Sequence, residues 1–254
     1  MKKLICVLGC LLGLTTTTVA QSDDFGMWYE LGAEKKLTKK WSVGVEGEFR
    51  TRNNSRTADR WSAGLNAEYK IVKGLKASAG YTFLYDNNAE EVTWKNSGDV
   101  KKWTPSYWGV RHRLNLSLMG SVSWNRLSLS LRERWQYTYR PESADRKYAF
   151  NYDADDLLSG YDLEAVKGKG KHILRSRLQA EYDIANWKFD PTASAEMFTD
   201  NNGIAKMRYQ LGVDYKIKKK HVFSLTYRYQ NISGDDDDRE ANSHLIGLGY
   251  KYKF

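Results

Sequence analysis

The chain has 254 residues, with 40 basic side chains against 31 acidic ones and a net charge of +9. No stretch after residue 20 approaches the run of about twenty apolar residues that a membrane-crossing helix needs, so a helical membrane protein is excluded. Both cysteines, Cys6 and Cys10, fall within the first ten residues, which leaves the rest without disulfides or thiolate metal sites.

The first twenty residues read as a leader. Lys2 and Lys3 form a basic start, Leu4 to Leu14 a short apolar stretch, and Thr18-Val19-Ala20 a small-residue cleavage site. Val7-Leu8-Gly9-Cys10 loosely matches a lipoprotein site, but the apolar run continues past Cys10. The expected division is a signal peptide over 1–20 and one domain over 21–254. Removing Lys2 and Lys3 from the 40 basic residues leaves 38 against 31 acidic ones, a net charge of +7. A basic excess can signal nucleic acid. Here the charges of both signs recur along strands, which fits a solvated face, and the excess suits anionic lipid headgroups better.

Beyond the leader the hydrophobic period is two. Trp41, Val43, Val45 and Phe49 alternate with Ser42, Gly44, Glu46, Glu48 and Arg50. Trp61, Ala63, Leu65, Ala67 and Tyr69 alternate with Arg60, Ser62, Asn66, Glu68 and Lys70. The same holds from Leu75, from Leu127 and from Met207. This pattern predicts eleven strands, at 25–36, 41–52, 58–72, 75–87, 107–119, 124–140, 171–183, 187–198, 205–217, 220–231 and 242–254. Short connections, such as Gly120–Ser123, alternate with long ones at 53–57, 88–106, 141–170, 199–204 and 232–241. Only Pro105, Pro141 and Pro191 interrupt, as expected where nearly every N–H must pair.

Two placements of the alternating faces compete. A soluble barrel of ten to twelve strands would have to fill its interior with dozens of large apolar side chains, more than such a barrel accommodates. A membrane barrel puts charge in a wet lumen and apolar side chains in lipid. Aromatic residues near strand ends, among them Trp41, Trp61, Tyr85, Trp108, Trp124, Trp187, Tyr250 and Tyr252, match the girdles of membrane barrels. The expectation is an all-β, transmembrane, antiparallel up-and-down barrel of about 10–12 strands in the outer membrane of a Gram-negative bacterium. Such barrels have an even strand number, so eleven implies either a hidden twelfth strand or a first segment, 25–36, outside the wall.

The hairpin from Phe25-Gly-Met-Trp28 to Glu48-Phe-Arg-Thr-Arg52, the Arg111-His112-Arg113 strand, the Arg132-Glu-Arg-Trp135 strand and the aromatic C-terminus resemble the outer-membrane β-barrel family known as domain of unknown function 2490. The resemblance implies location and architecture and supplies no reaction. Tyr250, Tyr252 and Phe254 also resemble the terminal signal read by the outer-membrane assembly machinery.

One predicted inward face carries Arg111, Arg113, Arg132, Arg134, Arg175 and Arg177, together with Glu46, Glu48, Glu68 and Glu181. Rings of charge select ions in pores, and Arg–carboxylate pairs can equally fill a closed lumen. The expected role is a non-enzymatic barrel, either a narrow channel or a structural barrel with a charged lumen. The alternative is a lipid-modifying enzyme of phospholipase or deacylase type, needing a hydroxyl, a histidine and an orienting acid. His112, His172, His221 and His244 are available, but Ser243 and His244 are adjacent and face opposite ways. Asp235 to Asp238, and Asp153 through Glu164, are carboxylate-rich; the second lacks the glycine and oxygen ligands of a calcium loop at Leu158 and Leu157. No cofactor, metal or nucleic acid is expected; lipids, lipopolysaccharide and the assembly machinery are the expected partners, and the oligomeric state stays open. The long 141–170 segment, rich in aromatics, is expected to plug the lumen or to present a surface outside.

Overall fold

The structure is a computed structural model and describes residues 23–153, 158–185, 187–218, 220–233 and 242–254. The expected leader lies outside these residues, as does the Asp235–Asp238 run. In chain order the strands are β1 (Asp24–Lys36), β2 (Trp41–Arg52), β3 (Thr57–Val72), β4 (Leu75–Asn88), β5 (Glu91–Trp94), β6 (Val100–Thr104), β7 (Tyr107–Trp124), β8 (Leu127–Arg140), β9 (Ser143–Tyr152), β10 (Leu158–Val166), β11 (Lys169–Tyr182), β12 (Phe189–Asp200), β13 (Gly203–Ile217), β14 (His221–Ile232) and β15 (Ser243–Lys253).

Eleven of them close into a barrel in the order β1-β15-β14-β13-β12-β11-β8-β7-β4-β3-β2. Neither sequence-based route to an even number holds. The first segment is a full member of the wall, and no twelfth strand joins the barrel among the described residues. An up-and-down path with an odd count leaves its first and last strands pointing the same way, so β1 and β15 close the barrel as a parallel pair, from Asp24 opposite Ser243 to Glu34 opposite Lys253. The other wall pairs are antiparallel.

The turn between β7 and β8 also differs from expectation. Gly120–Ser123 continues the ladder, and Trp124 pairs with Leu127 across Asn125-Arg126. Asn125 adopts a positive φ of 55°, a conformation asparagine accepts more readily than most residues. Gly74 has a φ of 84°, and a Cβ there would lie 2.6 Å from the Ser121 carbonyl oxygen, so both backbone and space require glycine.

The two longest connections fold. The β5–β6 hairpin rises between β4 and β7, and β9–β10 rises between β8 and β11. β6 pairs with β9, giving a four-stranded sheet in the order β10-β9-β6-β5. This order repeats that of the wall strands below, β11-β8-β7-β4, so the sheet extends one side of the wall beyond the barrel. The described residues of the 141–170 segment do not plug the lumen. The sheet's polar side, with Thr93, Lys102, Lys147 and Glu164, lines the barrel mouth. Register places Val92, Trp103, Tyr148, Tyr161 and Leu163 on the other side.

The barrel is inside-out relative to a soluble protein. Its buried residues include Asp86, Gln136, Asp190, Glu196, Arg228 and Gln230, while Leu31, Leu65, Leu116, Leu131, Leu178 and Leu225 are exposed on the outer wall. Alternation along each strand sends the two classes to opposite faces. Paired aromatics rim both ends: Phe49 with Trp61 and Tyr85 with Trp108 at the loop end, Trp41 with Tyr69 and Phe223 with Tyr250 at the turn end. Glu133 breaks the outer pattern. It accepts a 2.6 Å hydrogen bond from Ser176 Oγ on the neighbouring strand, between Leu131 and Trp135.

Candidate functional site in the lumen

Three levels of charge succeed one another down the lumen. At the loop end a cavity of about 1430 Å³ opens between the barrel rim and the polar side of the four-stranded sheet. Its lower wall includes Trp28, Arg50, Arg60, Asp86 and Arg111. Arg60 on β3 and Arg111 on β7 both engage Asp86 on the strand between them. Above them Glu164 accepts from Lys102 at 3.0 Å and pairs with Lys147 at 3.3 Å, tying β10 to β6 and β9. Hydrogen bonds from these two lysines hold the Glu164 carboxyl below its ordinary value of 4.5.

Trp28 forms the boundary with the middle level and is only 6% exposed. Arg50 lies over its ring at 3.7 Å, Arg228 at 4.6 Å and Arg208 at 4.9 Å. These residues come from β1, β2, β14 and β13, so side chains from both flanks of the seam meet there. Arg50 also pairs with Glu48, and Arg228 with Glu30 at 2.8 Å. A guanidinium stacked on an indole keeps its in-plane donors free for carboxylates, so both contacts coexist.

Glu196 is the hub of the middle level. It is 4% exposed and receives Arg132 from β8, Arg175 from β11 at 3.0 Å and Arg208 from β13 at 3.7 Å. Arg175 also donates to Gln136 at 3.0 Å and lies 4.6 Å from the Phe198 ring centre. Arg113 and Arg134 make their hydrogen bonds to neutral hydroxyls, Thr138 at 3.2 Å and Ser117 at 2.9 Å.

The turn end is different in kind. Lys216 meets Glu181 at 2.9 Å and Asp190 at 2.7 Å, Lys76 meets Glu68 at 2.8 Å, and Ser224 donates to Asp214 at 2.6 Å.

The ten charged residues singled out in the sequence therefore belong to three levels. Arg111 sits at the loop end and Glu68 and Glu181 at the turn end; Arg113, Arg132, Arg134, Arg175, Arg177, Glu46 and Glu48 share the middle. The six arginines lie on three consecutively paired strands, β7, β8 and β11. Sequence reasoning missed Glu196, Asp86 and Trp28 as partners. The period-two rule run along β12 from Asp190 would have turned Glu196 inward, but nothing local marks it as shared by three arginines.

The histidines stand on the outer wall beside tyrosines. His112 contacts Tyr81 and His244 contacts Tyr227, each at 2.7 Å, His221 contacts Tyr250 at 2.9 Å, and His172 packs on Tyr137. His244 also lies 3.3 Å from Asp23. Ser243 is buried and lines the mouth cavity, on the opposite face from His244. Among the described residues no group of three His, Cys, Asp or Glu side chains is placed to hold a metal.

A closed barrel with an apolar outer wall, aromatic rims and a charged lumen defines the class: an outer-membrane-type β-barrel. The chain belongs to the family of proteins of unknown function DUF2490, whose pattern it matches over residues 25–241. No curated protein matches it by sequence. Among solved structures it is similar to the β domain of the Bordetella autotransporter Brka, with a TM-score of 0.54, 16% identity and coverage of 84% of this chain and 83% of that one. It is also similar to the NanC porin, with a TM-score of 0.49, 13% identity and coverage of 91% and 99%. The Pseudomonas putida toluene transporter TodX gives 0.45, 12%, and 86% and 71%. At these identities the likeness is one of fold.

Proposed function

We propose that this barrel resides in the outer membrane of a Gram-negative bacterium and forms a narrow, anion-selective passage. One observation carries the reading: the middle of the lumen gathers guanidinium groups from β8, β11 and β13 around a single shared carboxylate, Glu196. Surplus fixed positive charge in a confined, low-dielectric space lowers the energy of an anion and raises that of a cation. The mouth cavity collects solute, and Trp28 with the three arginines packed on it constricts the path below. The outer wall suits lipid and lipopolysaccharide, and Tyr250, Tyr252 and Phe254 suit the assembly machinery.

A structural barrel with a sealed lumen is the second reading, favoured by the packing of Arg50, Arg208 and Arg228 onto Trp28. Planar-bilayer recordings separate the two. Steady current steps, with a reversal potential in a salt gradient that favours anions, support the passage; the double change Arg132→Ala and Arg134→Ala reduces that preference. Trp28→Ala increases the unit conductance severalfold. A folded, heat-modifiable barrel that stays silent, with or without Trp28, sinks the passage.

A further inference from the structure

We infer that the middle of the lumen holds a discrete oxyanion site between β8 and β11, formed by Arg132, Arg134 and Arg177. The inference rests on the same reading of the lumen as positively charged, but it does not require that the barrel conduct.

The register sets up the site. Arg132 stands directly opposite Arg177, and Arg134 directly opposite Arg175, so two like-charged pairs face each other on successive inward positions of one antiparallel ladder. Like charges directly opposed across a ladder destabilise it. A buried charge without a partner costs several kcal/mol in typical proteins, on the order of the penalty for stripping its water.

The carboxylates within reach do not compensate. Glu196 stands directly opposite Arg177 on β12, but its ion pairs go to Arg132, Arg175 and Arg208 together, so one carboxylate is shared among four guanidinium groups. Glu48 is held by Arg50. Glu46, on β2, faces Arg134 only at longer range. Arg134 and Arg113 settle for hydroxyls. The Nε atoms of Arg132 and Arg177 are buried and have no hydrogen-bond partner among the described residues. Such donors are rarely left empty in a folded protein, because each forfeits a hydrogen bond to water with nothing in return.

An anion placed between the opposed pairs answers all of these at once. Guanidinium offers parallel N–H donors in a planar fork, so the fitting partner has at least two oxygens on one centre, a carboxylate or a phosphate. A halide can offer only a point charge. Trp28 and Arg50 line the mouth cavity whereas Arg132, Arg134 and Arg177 do not, which puts the indole on the loop-end side of this level. The site is thus reached from the mouth cavity past Trp28.

Isothermal titration on the refolded full barrel in uncharged detergent tests this, using sodium phosphate and sodium succinate against sodium chloride at matched ionic strength. Saturable, one-to-one binding of phosphate or succinate, weakened at least tenfold by Arg177→Gln and unchanged by Lys76→Gln at the turn end, supports the site. Which of the two binds assigns phosphate or carboxylate chemistry. No saturable heat from either at millimolar concentration, or equal binding by Arg177→Gln, overturns it. The wild-type result stands even if the variant fails to fold. Bilayer recordings on the same preparation separate this site from the passage. Binding without current keeps the site and removes the passage. Anion current that rises in proportion to concentration, without saturation, keeps the passage and removes the site.

Discussion

At the turn end of the lumen, Lys216 divides itself between Glu181 and Asp190, and Lys76 has Glu68 to itself. Both lysines, with Glu181 and Glu68, are about one-third exposed, and only Asp190 is withdrawn from water. A few residues along the same strands, the ratio reverses, and one carboxylate, 5% exposed, is divided among three arginines with side chains only 11–13% exposed. Lysines in reach of water are matched by carboxylates, whereas arginines withdrawn from water are not. Flexible, hydrated ammonium groups at an open end contribute little either way. The middle, where mismatch is costly, is where mismatch is found, and a cost retained at one level points to a use for it.

Substitutions at the two levels test that contrast. The largest effect is expected at Glu196. Glu196→Leu strips three buried guanidiniums of their shared partner, and urea titration followed by heat-modifiability should show a loss of about 3–5 kcal/mol. A loss below about 1 kcal/mol would mean that water already screens the middle level as it does the end. Next comes a change of opposite sign. Arg177→Met removes one member of an opposed pair, and in anion-free buffer the barrel should gain about 0.5–1 kcal/mol. Destabilisation there would show that the surplus is not a strain. At the turn end, Glu181→Gln leaves Lys216 with Asp190 and should cost about 0–1 kcal/mol.

The smallest effect concerns the four-stranded sheet at the mouth. Because the Glu164 carboxyl titrates below its ordinary value of 4.5 in the folded sheet, its hold on Lys102 and Lys147 is present above that pH. It weakens as the pH falls through the lower, folded value. Proteolysis of the 141–170 segment should therefore quicken on acidification below about pH 4.5. Glu164→Gln should abolish this pH dependence.

Much of the wall was legible because period-two alternation is a geometric necessity of a two-faced sheet. Leu127, Leu129 and Leu131 against Arg132 and Arg134 could be assigned to faces with no knowledge of neighbours. Turns were less legible: Gly120 drew the β7–β8 connection toward itself, while the φ of 55° at Asn125 depended on ladder length. The long segments 88–106 and 141–170 hid four strands, because the β5–β6 and β9–β10 hairpins join each other through β6 and β9, and neither signals that partner locally. The arginine cluster was visible as a face, but not its division into levels. That division follows from strand stagger and from Glu196, a residue flanked by Ala195 and Met197 that looks unremarkable in sequence. Closure was the least legible feature, since parity of strand number is a rule about typical barrels and no residue encodes it.

The parallel pairing of β1 with β15 sets a folding order. Every antiparallel wall pair but three joins strands separated by a turn or short loop and can zip up from it; β14 and β15 are separated by the longer 233–242 connection. β4–β7 and β8–β11 wait only for the hairpins between them. Asp24 and Ser243, by contrast, meet across nearly the whole chain, and no local turn holds their strands in register beforehand. Ring closure at that seam thus bears the largest loop entropy and the highest contact order in the molecule. Until it forms, an open sheet presents two unpaired edges of the same polarity, β1 and β15. Each exposes a row of unpaired N–H and C=O groups until the other arrives.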